Sequence, residues 1–237
     1  MLKKLIIIFL FLIFTVPLFA QSTNTRIVSF GEQSKNGLYY SFSAGMGISY
    51  GNNPDLISYI GYELPNYNNL SDARKLSEYG TGLSFFIAGE KQIAKNFSLK
   101  LDYNYLIKSN NLTEYPNYDF TTYSHNFLLT GYYLIPGDYF FLKFGAGAGP
   151  VFYSFNEKIF TNETSYNSTG AEIKLDAVLN VQIAKSVATY FVVFAFKNFA
   201  PPLKDSGGNK LLNRAGGDVS PGSQGVGLRL GIEVVLF

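Results

Sequence analysis

The side chains of this chain that could carry acid–base or metal chemistry are few. His125 is the single imidazole, and there is no cysteine. Thiolate catalysis, disulfides and zinc–thiolate sites therefore drop out, and one histidine leaves little for a metal. Asp102, Asp176 and Glu233 could in principle pair as general acid and base. Each lies in a run that also carries Lys or Arg at the same parity, so neutralising those cations is the simpler role. The segment Gly145-Ala146-Gly147-Ala148-Gly149-Pro150 is not a phosphate-cradling fingerprint, because Pro fills its sixth position and no helix start follows. The expectation is a protein with no catalytic residue, no cofactor and no metal.

These residues sit on elements whose dominant period is two, the signature of strands with unlike faces. Eight such runs follow Gly37. The first sets Leu38, Tyr40, Phe42, Ala44, Met46, Ile48 and Tyr50 against serines and glycines. The second sets Leu83, Phe85 and Ile87 against Gly82, Ser84, Ala88 and Glu90. The third sets Phe97, Leu99, Leu101, Tyr103 and Tyr105 against Ser98, Lys100, Asp102 and Asn104. The fourth, near 122–135, is bulky on both faces, with Phe127, Leu129, Tyr133 and Ile135 as its apolar side. The fifth alternates Phe140, Leu142, Phe144, Ala146 and Ala148 with Phe141, Lys143, Gly145 and Gly147. The sixth alternates Ile173, Leu175, Ala177 and Leu179 with Glu172, Lys174 and Asp176. The seventh sets Tyr190, Val192, Phe194 and Phe196 against Phe191, Val193, Ala195 and Lys197. The eighth sets Val226, Leu228, Leu230, Ile232, Val234 and Leu236 against Gly227, Arg229, Gly231 and Glu233.

The links alternate in length. Those at about 51–78, 108–121, 154–169 and 199–222 are long and rich in Asn, Ser, Tyr, Gly and Pro. Those at 92–96, 136–138 and 184–187 are tight turns. Long links on one side and short ones on the other fit an even-stranded barrel across a membrane. Ahead of the runs, Lys3 and Lys4 precede an apolar stretch from Leu5 to Phe14, and Pro17 breaks it before Ala20. That is the layout of a secretory leader, residues 1–20, too short for a spanning helix. Residues 21–36 then form a periplasmic segment, and 37–237 the barrel domain.

Charge decides which face meets hydrocarbon. Setting aside Lys3 and Lys4 brings the 19 basic residues level with the 17 acidic ones, which leaves no basic excess for nucleic acid. Glu90, Lys100, Asp102, Lys143, Glu172, Lys174, Asp176, Lys197, Arg229 and Glu233 all share the less apolar parity. Turning that face to lipid would expose five cations at roughly 2–4 kcal/mol each, on the order of 10–20 kcal/mol together. The ten are therefore expected to form a charge network inside the barrel, where glycines 45, 47, 82, 145, 147, 149, 227 and 231 make room for them. Tyr40, Tyr50, Tyr103, Tyr105, Tyr133 and Tyr190, on the apolar parity toward run ends, suit an interfacial girdle.

The C-terminal residues Arg229-x-Gly231-x-x-Val234-x-Leu236, then Phe237, resemble the terminal signal read by the barrel assembly machinery of the outer membrane. Their register ends one residue before the terminal aromatic. The run from Asn126 to Phe152 is similar to the middle of the small OmpA-like and OmpX-like barrels, in particular the outer-membrane β-barrel families of Bacteroidota. The resemblance covers about 37–237. It implies an all-β fold, an eight-stranded antiparallel up-and-down transmembrane β-barrel, integral to a bacterial outer membrane and in contact with its lipid. It also implies insertion by that machinery and a role as an anchor, adhesin, structural element or minor pore. One lipid A deacylase family pairs a lipid-facing His with a Ser two residues on, but here Phe127 occupies that position.

Function is expected in the long links. Pro65-Asn66-Tyr67 and Pro116-Asn117-Tyr118 echo one another and offer stacking and hydrogen-bonding groups to a surface ligand or protein. Two alternatives stay open at this point. The lumen is a narrow porin-like channel, or the barrel is a soluble, periplasmic, lipocalin-like one that turns its apolar face inward around an apolar ligand.

Overall fold

A computed structural model describes residues 38–64, 80–111, 117–137 and 140–236. The leader, the segment 21–36, Pro65, Asn66, Tyr67, Pro116 and Phe237 lie outside the described residues. Eight antiparallel strands close into a barrel in chain order: β1 (Tyr40–Asn52), β2 (Thr81–Ala94), β3 (Phe97–Asn111), β4 (Tyr118–Pro136), β5 (Phe140–Ile159), β6 (Asn162–Ala184), β7 (Val187–Phe199) and β8 (Gln224–Leu236). The ring closes where β1 pairs β8, from Tyr40 opposite Leu236 to Asn52 opposite Gln224. Complete closure leaves no unpaired strand edge, which a sheet surrounded by lipid requires.

The period-two pattern sets the register, because a slip of one residue would turn every side chain over. Leu38, Phe42, Ile48, Ile87, Leu101, Leu129, Leu175 and Ile232 point outward and are exposed, while the inward partners are buried. The soluble alternative is thereby overturned: the apolar face is the outside of the barrel, and the charges and glycines are inside. At about 3.3 Å per residue and a tilt of about 40°, the outward-facing stretch from Ile135 to His125 on β4 climbs ~25 Å, the height of an apolar band. Tyr103, Tyr105, Tyr123 and His125 cluster at its upper edge, with Tyr133 at its lower edge.

One strand is assigned to the wrong face by sequence. On β7 the inward residues are Ala188, Tyr190, Val192, Phe194 and Phe196, all buried, so Lys197 faces outward. Both faces of this strand are bulky and apolar, so its alternation carries no polarity signal. Lys197 lies near the outer end of β7 with its ammonium 5.3 Å from the Phe199 ring centre, where a long stem lets the charge reach the interface. Tyr190 accordingly leaves the girdle for the lumen.

Two expected links are largely strand. β5 and β6 run on to a turn at Phe160-Thr161, and β3 and β4 extend to Asn111 and from Tyr118. Beyond the apolar band both faces of a ladder can meet water or other protein, so backbone pairing persists without hydrophobic alternation. A helix, α1 (Pro54–Glu63), follows β1. Asn53 caps it by accepting from the Leu56 amide at 3.0 Å, and Pro54 sits in its first turn.

Inward glycines give the lumen side chains their space. A Cβ at Gly145 would lie 2.5 Å from the Tyr132 ring, and one at Gly47 would lie 2.7 Å from Cγ of Arg229. Replacing Gly145 with Val is expected to cost about 1–3 kcal/mol through overpacking. Urea titration of the refolded barrel in detergent checks this; an unchanged midpoint would contradict it.

Candidate functional site: a charged lumen beneath a folded cap

Nine of the ten charges expected inside are buried in the lumen, Lys197 being the exception. Seven of them form two groups. Near the short-turn end, the Lys143 ammonium lies 2.9 Å from Oε2 of Glu90 and 3.3 Å from Oε1 of Glu233. Tyr39 and Ser98 each donate to Oε1 of Glu90 at 2.7 Å, and Ser41 donates to Glu233 at 2.5 Å. At mid-height, one oxygen of Asp102 meets Nη1 of Arg229 at 2.6 Å and Nζ of Lys174 at 3.0 Å. Lys174 also lies 3.2 Å from Asp176, which accepts from the Tyr132 hydroxyl.

Aromatic rings take the remaining positive faces. The Arg229 guanidinium lies 4.8 Å from the Phe194 ring centre and 5.3 Å from that of Phe86. Among the described residues Lys100 has no carboxylate within ion-pair distance; it donates to the Tyr190 hydroxyl and lies over the rings of Tyr190 and Tyr132. Glu172 accepts from Asn126. One lumen cation, Lys108, escapes the sequence pattern, because the third alternating run ends at Tyr105 whereas the strand continues to Asn111. Lys108 is buried and keeps the inward parity of Lys100 and Asp102.

The lumen is filled rather than open. Below the charges, Tyr39, Leu134, Phe141, Val178, Ala188 and Val235 pack into the apolar floor of the barrel. Above them remain two spaces of about 10 Å³ each. That is room for one water apiece. Ser49, Ser84, Asn104 and Asn126 line the lower space, and each has a side-chain oxygen without a protein partner.

Over the outer end sits a cap with its own core. Leu56, Tyr59, Ile60 and Leu64 from α1 and the residue after it meet Phe120 and Phe155 from the strand ends. Leu203, Leu211 and Val219 from the β7–β8 link complete the cluster. That link repeats every eight residues. Leu203, Leu211 and Val219 point into the core and exchange backbone hydrogen bonds of 2.8–3.0 Å with one another. Asp205 and Asn213, also eight apart, hold the amides of Asn209 and Gly217 at 2.8 Å. Gly208 and Gly216 supply the positive φ, 82° and 76°, that each turn needs.

The other expected site residues are dispersed. Asn117 is exposed and accepts from the Phe160 amide at 2.7 Å. Tyr118 is half-buried, packs on the cap core and meets the Phe160 ring edge-on at 5.4 Å. A strand-end aromatic beside an apolar cluster is drawn into it. In the C-terminal motif, Arg229 and Gly231 face the lumen while Val234 and Leu236 face out. His125 lies on the outer wall, its Nδ1 2.8 Å from the Tyr103 hydroxyl, with Ser124 and Asn126 turned inward. Among the described residues no cluster of His, Asp or Glu is arranged to hold a metal.

Above the apolar band, Glu157 accepts from the Tyr59 hydroxyl at 2.6 Å. Burial pushes the Glu157 carboxyl up, the Tyr59 bond pulls it back, and nearby Glu63 adds to the rise. Burial raises Glu63 as well.

Both the clamp and the cap can be tested. Asp102→Ala leaves Arg229 and Lys174 buried without that shared carboxylate oxygen, and is expected to cost about 3–5 kcal/mol in a urea titration. A loss under about 1 kcal/mol would contradict the clamp. For the cap, a carboxyl raised in the folded state contributes stability that is complete below its unfolded value of about 4.5. It loses that stability as pH rises through the folded value. Cap amides, corrected for intrinsic exchange, should therefore be better protected from hydrogen exchange near pH 4.5 than near pH 7, and Glu157→Gln should shrink the difference. Equal protection at both pH values would contradict this.

No protein-family model matches the sequence, and no curated protein matches it significantly. Solved structures do. The chain superposes on a major outer membrane protein from Thermus thermophilus with a TM-score of 0.51 at 11% identity, over 83% of this chain and 99% of that one. Neisserial surface protein A gives 0.49 at 11% identity, over 84% and 99%. Ail, the attachment invasion locus protein of Yersinia pestis, gives 0.43 at 15% identity, over 84% and 98%. At these identities the likeness is one of fold, and the fold is that of the bacterial outer-membrane β-barrels.

Proposed function

We propose that the protein is an integral outer-membrane barrel that presents a rigid binding surface outside the cell and does no catalysis. In this reading residues 1–20 direct export, and 21–36 lie on the periplasmic side. The barrel assembly machinery inserts the barrel through the C-terminal motif Arg229, Gly231, Val234, Leu236 and Phe237. The outward apolar wall then sits in outer-membrane lipid.

The observation that carries the reading is the cap. An anchor alone needs only short connections, yet α1, the β5–β6 hairpin and the β7–β8 link share a buried apolar core. Ordering that much chain fixes the surface above it before any partner arrives, which lowers the entropy lost on binding. The surface carries exposed Tyr62, Phe160 and Leu212, and the Arg214 guanidinium lies 5.4 Å from the Tyr62 ring centre. Aromatic and Arg side chains of this kind dominate interface energetics. The partner that suits them is a protein or a saccharide, since planar rings stack on both.

Changing Tyr62, Phe160 and Leu212 together to Ser should leave the barrel folded. Attachment of cells that display the protein to a receptor-bearing surface should fall by about tenfold or more. Full attachment by the triple variant would sink the binding role.

The channel reading makes the opposite demand on the lumen. With the apolar floor below and the cap above, purified protein in planar bilayers is expected to give no steady current. Reproducible unitary conductance would favour the pore instead.

A further inference from the structure

Lys108 stands apart from the other lumen cations. It is 6% exposed, yet it pairs with no carboxylate and makes no hydrogen bond among the described residues. It lines the upper of the two lumen spaces, together with Asn53, Thr122, Ser124, Tyr153, Asn198 and Ser223. None of these is acidic. Among the described residues, Glu172 is engaged with Asn126 in the lower space, Glu157 with Tyr59 in the cap, and Asp55, exposed, faces the Ser220 amide at 3.4 Å.

A second positive feature converges on the same space. Asn53, the N-cap of α1, and Leu56 in its first turn both line it, so the positively polarised first turn of the helix borders the space that Lys108 also lines. Ser124 adds a buried hydroxyl that finds no protein partner. A buried ammonium with no carboxylate partner, beside the first turn of a helix, is stabilised by negative charge in the space they share. With a volume of about 10 Å³ the space suits one small occupant on the scale of a single water molecule.

We propose that this chamber is a binding site for a monatomic anion of the chloride class. The Lys108 ammonium and the α1 N-terminus hold the ion, and the surrounding hydroxyls orient toward it. Bound there, the anion ties the root of the cap to the top of the barrel.

The test is refolding and crystallisation with bromide in place of chloride, followed by diffraction at the bromine edge. An anomalous peak within hydrogen-bond reach of Nζ of Lys108 is expected, falling to background in Lys108→Gln while the rest of the barrel is unchanged. Water-like density with no anomalous signal in the wild type would overturn the proposal, whether or not the variant folds. So would a bromide peak that persists in Lys108→Gln.

Discussion

One oxygen of Asp102, shared by Arg229 and Lys174 at the middle of the lumen, is the interaction on which the rest depends. A barrel of eight strands leaves room inside for side chains and single waters, too little to solvate ions. Lys100, Lys143, Lys174 and Arg229 can be enclosed there only if carboxylates and aromatic faces replace their hydration. Once they are enclosed, the outer wall is free to be uniformly apolar. The glycines on the inner face follow from the same constraint, since Tyr132 and Arg229 need the volume that Gly145 and Gly47 leave.

The filled lumen then divides the molecule by function. Below the clamp, the Lys143–Glu90–Glu233 group and the apolar floor close the short-turn end. Above it, polarity thins toward Lys108 and the two small spaces, and the cap closes over them. Among the described residues, floor, charges and cap follow one another along the lumen. The charge network holds a wall together, and the chain that projects beyond the membrane packs into a structure of its own.

Much of this is legible in the sequence. The alternation of β1, β2, β3, β5, β6 and β8 fixes their faces, because each carries a polar or small side opposite an apolar one. β7 misleads because Tyr190, Val192, Phe194 and Phe196 are as apolar as the face they oppose, and only neighbouring strands decide which set turns inward. The β5–β6 hairpin is hidden for the converse reason: outside the membrane no face is selected for apolarity, so a paired ladder reads as a polar loop. The cap is readable only in pieces. Asn53-Pro54-Asp55 is a helix start, and Leu203, Leu211 and Val219 recur every eight residues with Asx and Gly at fixed offsets. That these pieces share one core is a tertiary fact with no local signature.

Both the enclosed charges and the projecting cap presuppose an apolar wall that faces lipid in an outer membrane. Separation of inner and outer membranes from the soluble envelope fraction, with each fraction run on a gel boiled and unboiled, tests this most directly. The protein is expected in the outer membrane, resistant to extraction by salt, and faster-migrating unboiled because the closed barrel survives detergent. A protein found in the soluble fraction, with the same mobility boiled and unboiled, would contradict it.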